Sequence, residues 1–285
     1  MTATLVEACI VNHNSSEFTE LALRTLIATH SSRIKGGELR ITVVDNHSTD
    51  EGLADLRVAV RDLAVAWELS PWPAAESAVN SHGDVLRAFA LAHGDASHLW
   101  FLDCDVTFTQ PDCLGVMLAD LAAEPDLWAV QARFQWLEQH QGPGASLDIW
   151  AGRRHELWAS VGLPPARSFP GVHKRRCHPA CTLIANTPVF RRVADIIGLS
   201  AGLVLSADDR FAGFADTLGP ASLALETHGL RYALSEAVVG HYHGVTYHDS
   251  ANPIDAKRTE CRQRLTVLRA GTGGDQYQPP PKSAG

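Results

Sequence analysis

At residues 98–105 the chain reads HLWFLDCD, an apolar run that ends abruptly in two aspartates. A short apolar run of this kind is typical of a buried strand, and Asp103 and Asp105, two positions apart, point to the same side of it. Cys104 lies between them and faces the opposite side, where we expect it to pack in the core. The stretch therefore predicts a buried strand with a candidate metal site at the edge of a sheet.

Strand and helix patterns alternate on both sides of this stretch. Apolar runs at 7–11, 39–44 and 65–69 are typical of strands, and segments with helical apolar spacing separate them. Repeated β-α-β units with near-continuous apolar strands predict an α/β fold, in which helices flank both faces of a mostly parallel central sheet. Further along, the pattern predicts a helix over 211–227 and strand segments within 232–241.

Length and composition narrow the class of protein. The 285 residues can bury a full core, and we favour one α/β domain over two small ones. A formal charge of -8 disfavours nucleic acid as a partner.

No apolar run is long enough for a membrane span, and the opening MTATLVEACIV lacks the pattern of a signal peptide, so we expect a cytoplasmic protein. Its six scattered cysteines are expected to be reduced thiols.

Four segments, taken in order, resemble the family 2 glycosyltransferases of the GT-A fold. They are VNHN at 11–14, VVDNHSTD at 43–50, FLDCD at 101–105 and EAVVGHYHG at 236–244. The order and spacing of the four carry the resemblance, since each motif alone is weak. It implies a Rossmann-like nucleotide-diphospho-sugar transferase that moves a sugar from a nucleotide-diphosphate donor to an acceptor nucleophile, with inversion at the anomeric carbon.

The resemblance implies a divalent cation at the end of the HLWFLDCD strand. Asp105 is the direct ligand, and Asp103 either faces the ribose and sugar or touches the metal through water. Two histidines compete for the place of a third ligand, and the His-x-x-Gly spacing favours His241 over His243. Hard oxygen ligands favour Mg²⁺ or Mn²⁺ as the cofactor. The structural alternative is an aspartate pair that only caps a turn.

Donor contacts follow from the same resemblance. Asp45 matches the position whose carboxylate takes the ring N–H of a uracil, thymine or guanine base, with Val11 and His13 forming the wall of that pocket. As an alternative, Asp45 caps a helix or forms an Asx turn. Gly83 precedes a helix and permits close approach of the backbone to the diphosphate. His82 is a candidate donor contact or an ordinary surface histidine.

An inverting transfer needs a general base near the acceptor hydroxyl. In the family this carboxylate precedes a glycine by roughly a dozen residues, and counting back from Gly229 leads to Asp216. The family pattern has two acidic residues there, whereas this chain has an aspartate followed by a threonine. Asp208 and Asp209 are the competing pair, further upstream. Each is otherwise a solvated carboxylate at the start of a helix.

The expected organisation is one GT-A domain over 1–270, with a nucleotide-sugar-binding half at 1–135, an acceptor-binding half at 136–270, and a flexible tail at 271–285. A nucleotide-sugar and an acceptor of unspecified identity are the expected partners. The sequence leaves a monomer and a homo-oligomer both open.

Alternative functions fit the sequence less well. A sugar nucleotidyltransferase would carry a glycine-rich basic signature after the first strand, which NHNS at 12–15 lacks. A non-catalytic nucleotide-sugar-binding protein of the same fold stays open because of the departure at Asp216. A structural zinc site is open at four further side chains, although their spacing is unfamiliar: His173, Cys177, His178 and Cys181.

Overall fold

A computed structural model describes residues 4–71, 81–136, 177–205, 211–215, 217–242, 244–245 and 254–271. In these ranges the strands are β1 (Val6–Asn12), β2 (Leu39–Asp45), β3 (Ala66–Leu69), β4 (His98–Asp103), β5 (Val106–Thr107), β6 (Leu127–Trp136), β7 (Cys181–Ala185), β8 (Gly202–Leu205), β9 (Phe211–Ala215) and β10 (Arg231–His241). The helices are α1 (Ser16–Lys35), α2 (Leu53–Asp62), α3 (Ser81–Ala92), α4 (Cys113–Ala123), α5 (Pro188–Ile196), α6 (Gly219–Thr227) and α7 (Ile254–Ala270).

Eight of these strands form a central sheet in the order β3-β2-β1-β4-β7-β6-β10-β5. β7 and β5 run antiparallel to their neighbours, and the other six strands share one direction. The prediction of an α/β fold with a mostly parallel central sheet is therefore confirmed. β8 and β9 pair with each other in a separate two-stranded sheet.

Helices cover both faces of the sheet. The side chains of β4 show how one strand packs against the helices on both faces. Trp100 and Leu102 pack in the core cluster that α1, α2, α4 and α7 share with one face. Leu99 and Phe101 pack in the second cluster, with α3, α5 and α6 on the other face. Because side chains alternate along a strand, a strand covered on both faces must be apolar throughout. The expected packing of Cys104 is confirmed too, since it is buried in the first cluster.

The predicted helix over 211–227 is wrong in its first part. Residues Phe211–Ala215 form β9, and the helix α6 begins only at Gly219. Leu218 has a φ of 65°, outside the helical region, and Pro220 lies in the first turn of α6, where proline is tolerated because the N–H has no helical partner. The sequence FAGFA before this break also carries a helix-weakening glycine.

Two expectations from composition can be compared with the structure. All six cysteines are buried, and none forms a disulfide. Within the described ranges, no helix has both the length and the apolar character needed to cross a membrane.

A buried histidine joins α1 to α4 on one face of the sheet. His30 departs from helical geometry and kinks α1. Its Nε2 accepts a hydrogen bond of 3.1 Å from the N–H of Leu114, in the first turn of α4. The ring also lies edge-on to Trp100 and Phe108. Burial lowers the pKa of His30 to about 4, because the charged imidazolium would lose its hydration in this apolar surrounding.

We expect this histidine to make the protein sensitive to acid. Between about pH 6.5 and 4 the unfolded chain binds a proton at this imidazole while the folded chain does not, so the free energy of unfolding falls as the pH falls. The loss contributed by His30 is roughly 3 kcal/mol. Urea unfolding at pH 7.5 and pH 4.5 measures it, with the wild-type protein compared with His30→Gln.

The Gln variant should be less stable at pH 7.5 but should lose less stability on acidification. His228→Gln, at an exposed position after α6, is the matched control and should keep the wild-type pH dependence. An identical pH dependence in His30→Gln and the wild type would contradict the assignment of this acid sensitivity to His30.

Candidate metal and nucleotide site

The two aspartates that the sequence places at strand ends come to the same edge of the sheet. β1 lies between β2 and β4, and its last residues face both of them. Asn12 is in register with Asp45 at the end of β2, and Val11 is in register with Asp103 at the end of β4. The carboxyl ends of parallel strands, where open α/β sheets bind ligands, thus hold both candidate residues.

Three side chains at this edge form a group that suits a metal ion. Asp103, Asp105 and His241 each offer one ligand atom, and these atoms all lie within 4.8 Å of one another. His241 Nε2 is 3.0 Å from Asp105 Oδ1 and 3.9 Å from Asp103 Oδ2. The side chains of Asp105 and His241 are each 5% exposed, whereas that of Asp103 is 21% exposed. Asp103 is therefore the member of the group most open to a ligand.

The backbone explains how His241 reaches a carboxylate so distant in sequence. After Asp105 the chain enters β5, which pairs antiparallel with the end of β10, so that Val106 faces His241. The N–H of Tyr242 then donates to the carbonyl of Asp105 over 3.0 Å. Gly240 allows this close pairing, since a Cβ there would lie 2.5 Å from Thr107 Oγ1.

Opposite charges lie close together in this group. Burial alone would lower the pKa of His241, but the attraction and hydrogen bond of Asp105, together with the charge of Asp103, raise it above its ordinary value. Lys257, on α7, is 4% exposed and adds a positive charge close to Asp105. Burial lowers the pKa of Lys257, and Asp105 acts in the opposite direction. Two carboxylates and two basic side chains thus share a poorly hydrated space.

The donor set fits a hard divalent cation. Carboxylate oxygens suit Mg²⁺ and Mn²⁺, and an imidazole nitrogen is a ligand for many divalent metals. Asp103, Asp105 and His241 are the residues that would hold the ion. Within the described ranges no other group of three or more such side chains comes together. The zinc hypothesis at Cys177, His178 and Cys181 gains no support there, and His173 lies outside the described residues.

His82 and Gly83 lie at the start of α3, beside the metal group. His82 Nε2 is 3.7 Å from Asp103 Oδ1, and its side chain is 34% exposed. The predicted close approach at Gly83 is made by the chain itself, because a Cβ there would lie 2.4 Å from Ser200 Cα. Ser200 also donates a 2.6 Å hydrogen bond to Asp84. A packing reason for the glycine therefore exists, and its contact with a donor stays a prediction.

A polar network joins the ends of β1 and β2. The Asn12 amide donates to Asp45 Oδ1 over 2.9 Å and to Ser48 Oγ over 2.9 Å, and its oxygen accepts from Thr19 Oγ1 over 2.7 Å. Asp45 is 1% exposed and so depends on such partners. This network orients the Asp45 carboxylate, which the sequence suggested as a helix cap or as a base contact.

Next to Asp45 lie two buried polar atoms, Asn46 Oδ1 and His47 Nε2. Neither of them makes a hydrogen bond with any residue in the described part of the chain. The Asn46 carbonyl is paired with His13 Nδ1 over 2.9 Å, which ties the ends of β1 and β2 together. Val11, the other expected wall residue, packs in the second core cluster. Because a buried acceptor without a donor costs free energy, Asn46 Oδ1 indicates a place where a ligand N–H could bind.

Several predicted residues lie outside the described residues. These are His243, Asp208, Asp209 and Asp216, so the identity of the base stays a prediction. Two further residues of the site, Asn12 and Lys257, are not predicted from the sequence. Asn12 was quoted only within a motif, although a polar residue that ends an apolar strand is a usable signal. Lys257 lies in a polar helix and carried no signal, because nothing local distinguishes it from a surface lysine.

Comparison with known protein families finds no match, and comparison with curated proteins finds none either. Among solved structures, the chain is similar to a mannosyltransferase from Pyrobaculum calidifontis in complex with GDP-Man and Mn2+, at 19% identity and a TM-score of 0.49. That alignment covers 97% of this chain and 66% of the mannosyltransferase, just under two thirds of its length.

The chain is also similar to a glucosyl-3-phosphoglycerate synthase from Mycobacterium tuberculosis in complex with phosphoglyceric acid, at 13% identity and a TM-score of 0.49. The alignment covers 94% of this chain and 79% of that one. Likeness this distant does not show the function of this chain.

The metal group leads to a direct prediction. Asp105→Asn should weaken Mn²⁺ binding by at least about tenfold, since even changes outside the ligand shell commonly cost that much. Titration of the metal alone, followed by the electron paramagnetic resonance signal of unbound Mn²⁺, measures the affinity. Asp62→Asn, at an exposed position on α2, is the control and should bind Mn²⁺ like the wild type. Equal affinity in the Asp105 and Asp62 variants would rule out Asp105 as a ligand.

Proposed function

We propose that this protein is a metal-dependent, inverting glycosyltransferase of the GT-A fold, which moves a hexosyl group from a nucleotide-diphosphate donor to an acceptor nucleophile. The observation that carries the proposal is the group of Asp103, Asp105 and His241, at the same sheet edge as Asp45. The order of the four sequence motifs supports the same assignment.

The metal group meets the main chemical need of such a transfer. A divalent cation bound there would neutralise the negative charge that grows on the diphosphate as the glycosidic bond breaks. Asp105 and His241 are held by the β5–β10 pairing and keep the ligand geometry rigid. Asp103 is more exposed and has His82 beside it, so this pair would contact the donor. Lys257 would limit the repulsion between the carboxylates and an incoming diphosphate.

The end of β2 supplies the features that a nucleobase pocket needs. Asp45 is oriented by Asn12, and Asn46 Oδ1, which accepts no hydrogen bond from the residues that the structure describes, is an acceptor close by in sequence. Acceptors of this kind complement the ring N–H of uracil, thymine or guanine. With the base at this end, the diphosphate extends along the sheet edge to the metal group at β4. The order of the strands therefore supports a donor orientation with the base near β2 and the diphosphate near β4.

The acceptor side of the site follows the domain organisation expected from the sequence. One domain over 1–270 would combine a nucleotide-sugar-binding half at 1–135 with an acceptor-binding half at 136–270. Asp216 is our first choice of general base, ahead of Asp208 and Asp209, by its distance from Gly229. A base there would take the proton of the acceptor hydroxyl as that oxygen attacks the anomeric carbon.

A thermal-shift panel tests donor binding. We expect one of UDP, dTDP and GDP, with its sugars, to raise the melting temperature by several degrees in the presence of Mn²⁺, since a ligand at 100 times its Kd stabilises by about 2.7 kcal/mol. Asp105→Ala should lose the shift, and Asp62→Ala should keep it. Flat traces for the wild-type protein across the panel would contradict the proposed function.

Substitution of the base candidates separates catalysis from binding. Asp216→Asn should lower kcat by about 10²- to 10⁴-fold and leave the Kd of the donor unchanged, because a general base acts on the acceptor proton. Asp208→Asn and Asp209→Asn are the matched comparisons, and a loss confined to one of them would reassign the base. Donor binding without transfer or donor hydrolysis in the wild type would instead favour a non-catalytic nucleotide-sugar-binding protein.

A further inference from the structure

His178 lies at the same sheet edge as the metal group. It precedes β7, and because β7 runs antiparallel, its beginning lies beside the carboxyl end of β4 and next to Gln131 in the middle of β6. The N–H of Asp103 donates to the carbonyl of Ala180 over 2.8 Å, which joins this segment directly to the first carboxylate of the group. His178 is therefore part of the surroundings of the site, although its sequence neighbours suggested a zinc cluster.

Three hydrogen bonds to other described residues help to hold His178 in one orientation. Its N–H donates to Gln131 Oε1 over 2.9 Å, and its carbonyl accepts from the hydroxyl of Thr182. Its Nδ1 accepts from the N–H of Ala180 over 3.1 Å. Because a backbone N–H can only donate, this bond assigns an unprotonated Nδ1 and a protonated Nε2. The ring is thus neutral and donates a hydrogen bond through Nε2. Its Nδ1 already accepts the hydrogen bond from Ala180, so we do not assign the ring a role as a base.

The ring of His178 forms one side of a small aromatic wall beside His241. Its centroid is 6.5 Å from that of His241 at an angle of 66°, and 6.2 Å from that of Phe134 at 80°. Phe134 in turn lies 4.9 Å from His241. His178 and Phe134 are both only half-buried, and His178 is not in the group of metal-ligating atoms. The wall therefore borders the metal group without belonging to it.

The strand order shows which part of a donor this wall would meet. Asp45 is on β2, two strands from β4 on one side, and the segment of His178 is next to β4 on the other side. On the proposed function, with the base near Asp45 and the diphosphate at the metal, the sugar continues toward β7. We propose that His178 is a specificity-determining residue, which donates its Nε2–H to an oxygen of the transferred sugar.

Two substitutions separate this role from a structural one. His178→Asn keeps an acceptor for the Ala180 N–H, because an asparagine oxygen readily bonds the N–H two residues on, but its side chain is too short to reach the position of Nε2. His178→Gln keeps an N–H donor at that reach. A comparison of the two variants therefore tests the donor group rather than the fold of the segment.

The experiment measures the Kd of a nucleotide diphosphate and of its sugar derivative, at saturating Mn²⁺, by titration calorimetry. The probes are UDP with UDP-glucose and GDP with GDP-mannose, and the pair that the wild-type protein binds is used for the variants. We compare the Kd of the diphosphate divided by the Kd of its sugar derivative. In His178→Asn this ratio should fall about five- to tenfold, as expected for one lost hydrogen bond to the sugar. The Kd of the diphosphate and that of Mn²⁺ should change less than twofold. His178→Gln should restore most of the ratio.

The control is His98→Gln, at the opposite end of β4, which should match the wild-type protein in every constant. An unchanged ratio in His178→Asn would overturn the assignment, and so would an equal loss for diphosphate and sugar derivative. A loss of Mn²⁺ affinity would overturn it as well, by placing His178 among the metal ligands. Failure of the wild-type protein to bind any diphosphate with Mn²⁺ is a different result, which refutes the proposed function and this assignment with it.

Discussion

The candidate site depends on the pairing of β5 with the end of β10. This pairing brings His241 Nε2 to 3.0 Å from Asp105 Oδ1, and both side chains are almost completely buried there. Burying a carboxylate is unfavourable unless opposite charge or hydrogen bonds compensate for its lost hydration. The imidazole and Lys257 supply positive charge next to Asp105 in the protein alone. A divalent cation would serve the same electrostatic need, so the features that stabilise the site also make it suitable for a metal.

Among the described residues, strand ends and hydrogen-bonded turns position the side chains that we assign to the metal and to the donor. Asp45 and Asp103 end two strands that both pair with β1, and Asn12 orients the first of them through a buried hydrogen bond. His241 lies at the end of β10, and His178 is held by three hydrogen bonds just before β7. Groups that must meet a ligand in fixed geometry are more precisely placed by strand ends than by long loops. The arrangement thus favours a preorganised site along one edge of the sheet.

Comparison of sequence and structure shows where local patterns fail. The apolar runs that predicted the central strands are confirmed, since strands covered on both faces have to be apolar throughout. The helix predicted over 211–227 is wrong for Phe211–Ala215, where pairing with β8 makes a strand of a short apolar segment. Periodicity cannot separate strand from helix over so few residues, and the partner strand decides. The zinc hypothesis placed His178 together with nearby cysteines. It had a different weakness, because proximity in sequence does not show which way a side chain faces.

The sequence by itself determined the alternation of strands and helices, the mostly parallel sheet, and the placement of Asp45, Asp103 and Asp105 at strand ends. Those features depend on periods of two and 3.6 residues and on the common direction of parallel strands, which are local rules. Only the tertiary structure decided that His241 meets Asp105, that Asn12 orients Asp45 and that His178 borders the metal group. The first and third of these contacts join segments that are far apart in the chain, and the strand order that brings them together is set by the packing of the whole sheet. The second contact joins the neighbouring strands β1 and β2 and depends on their register.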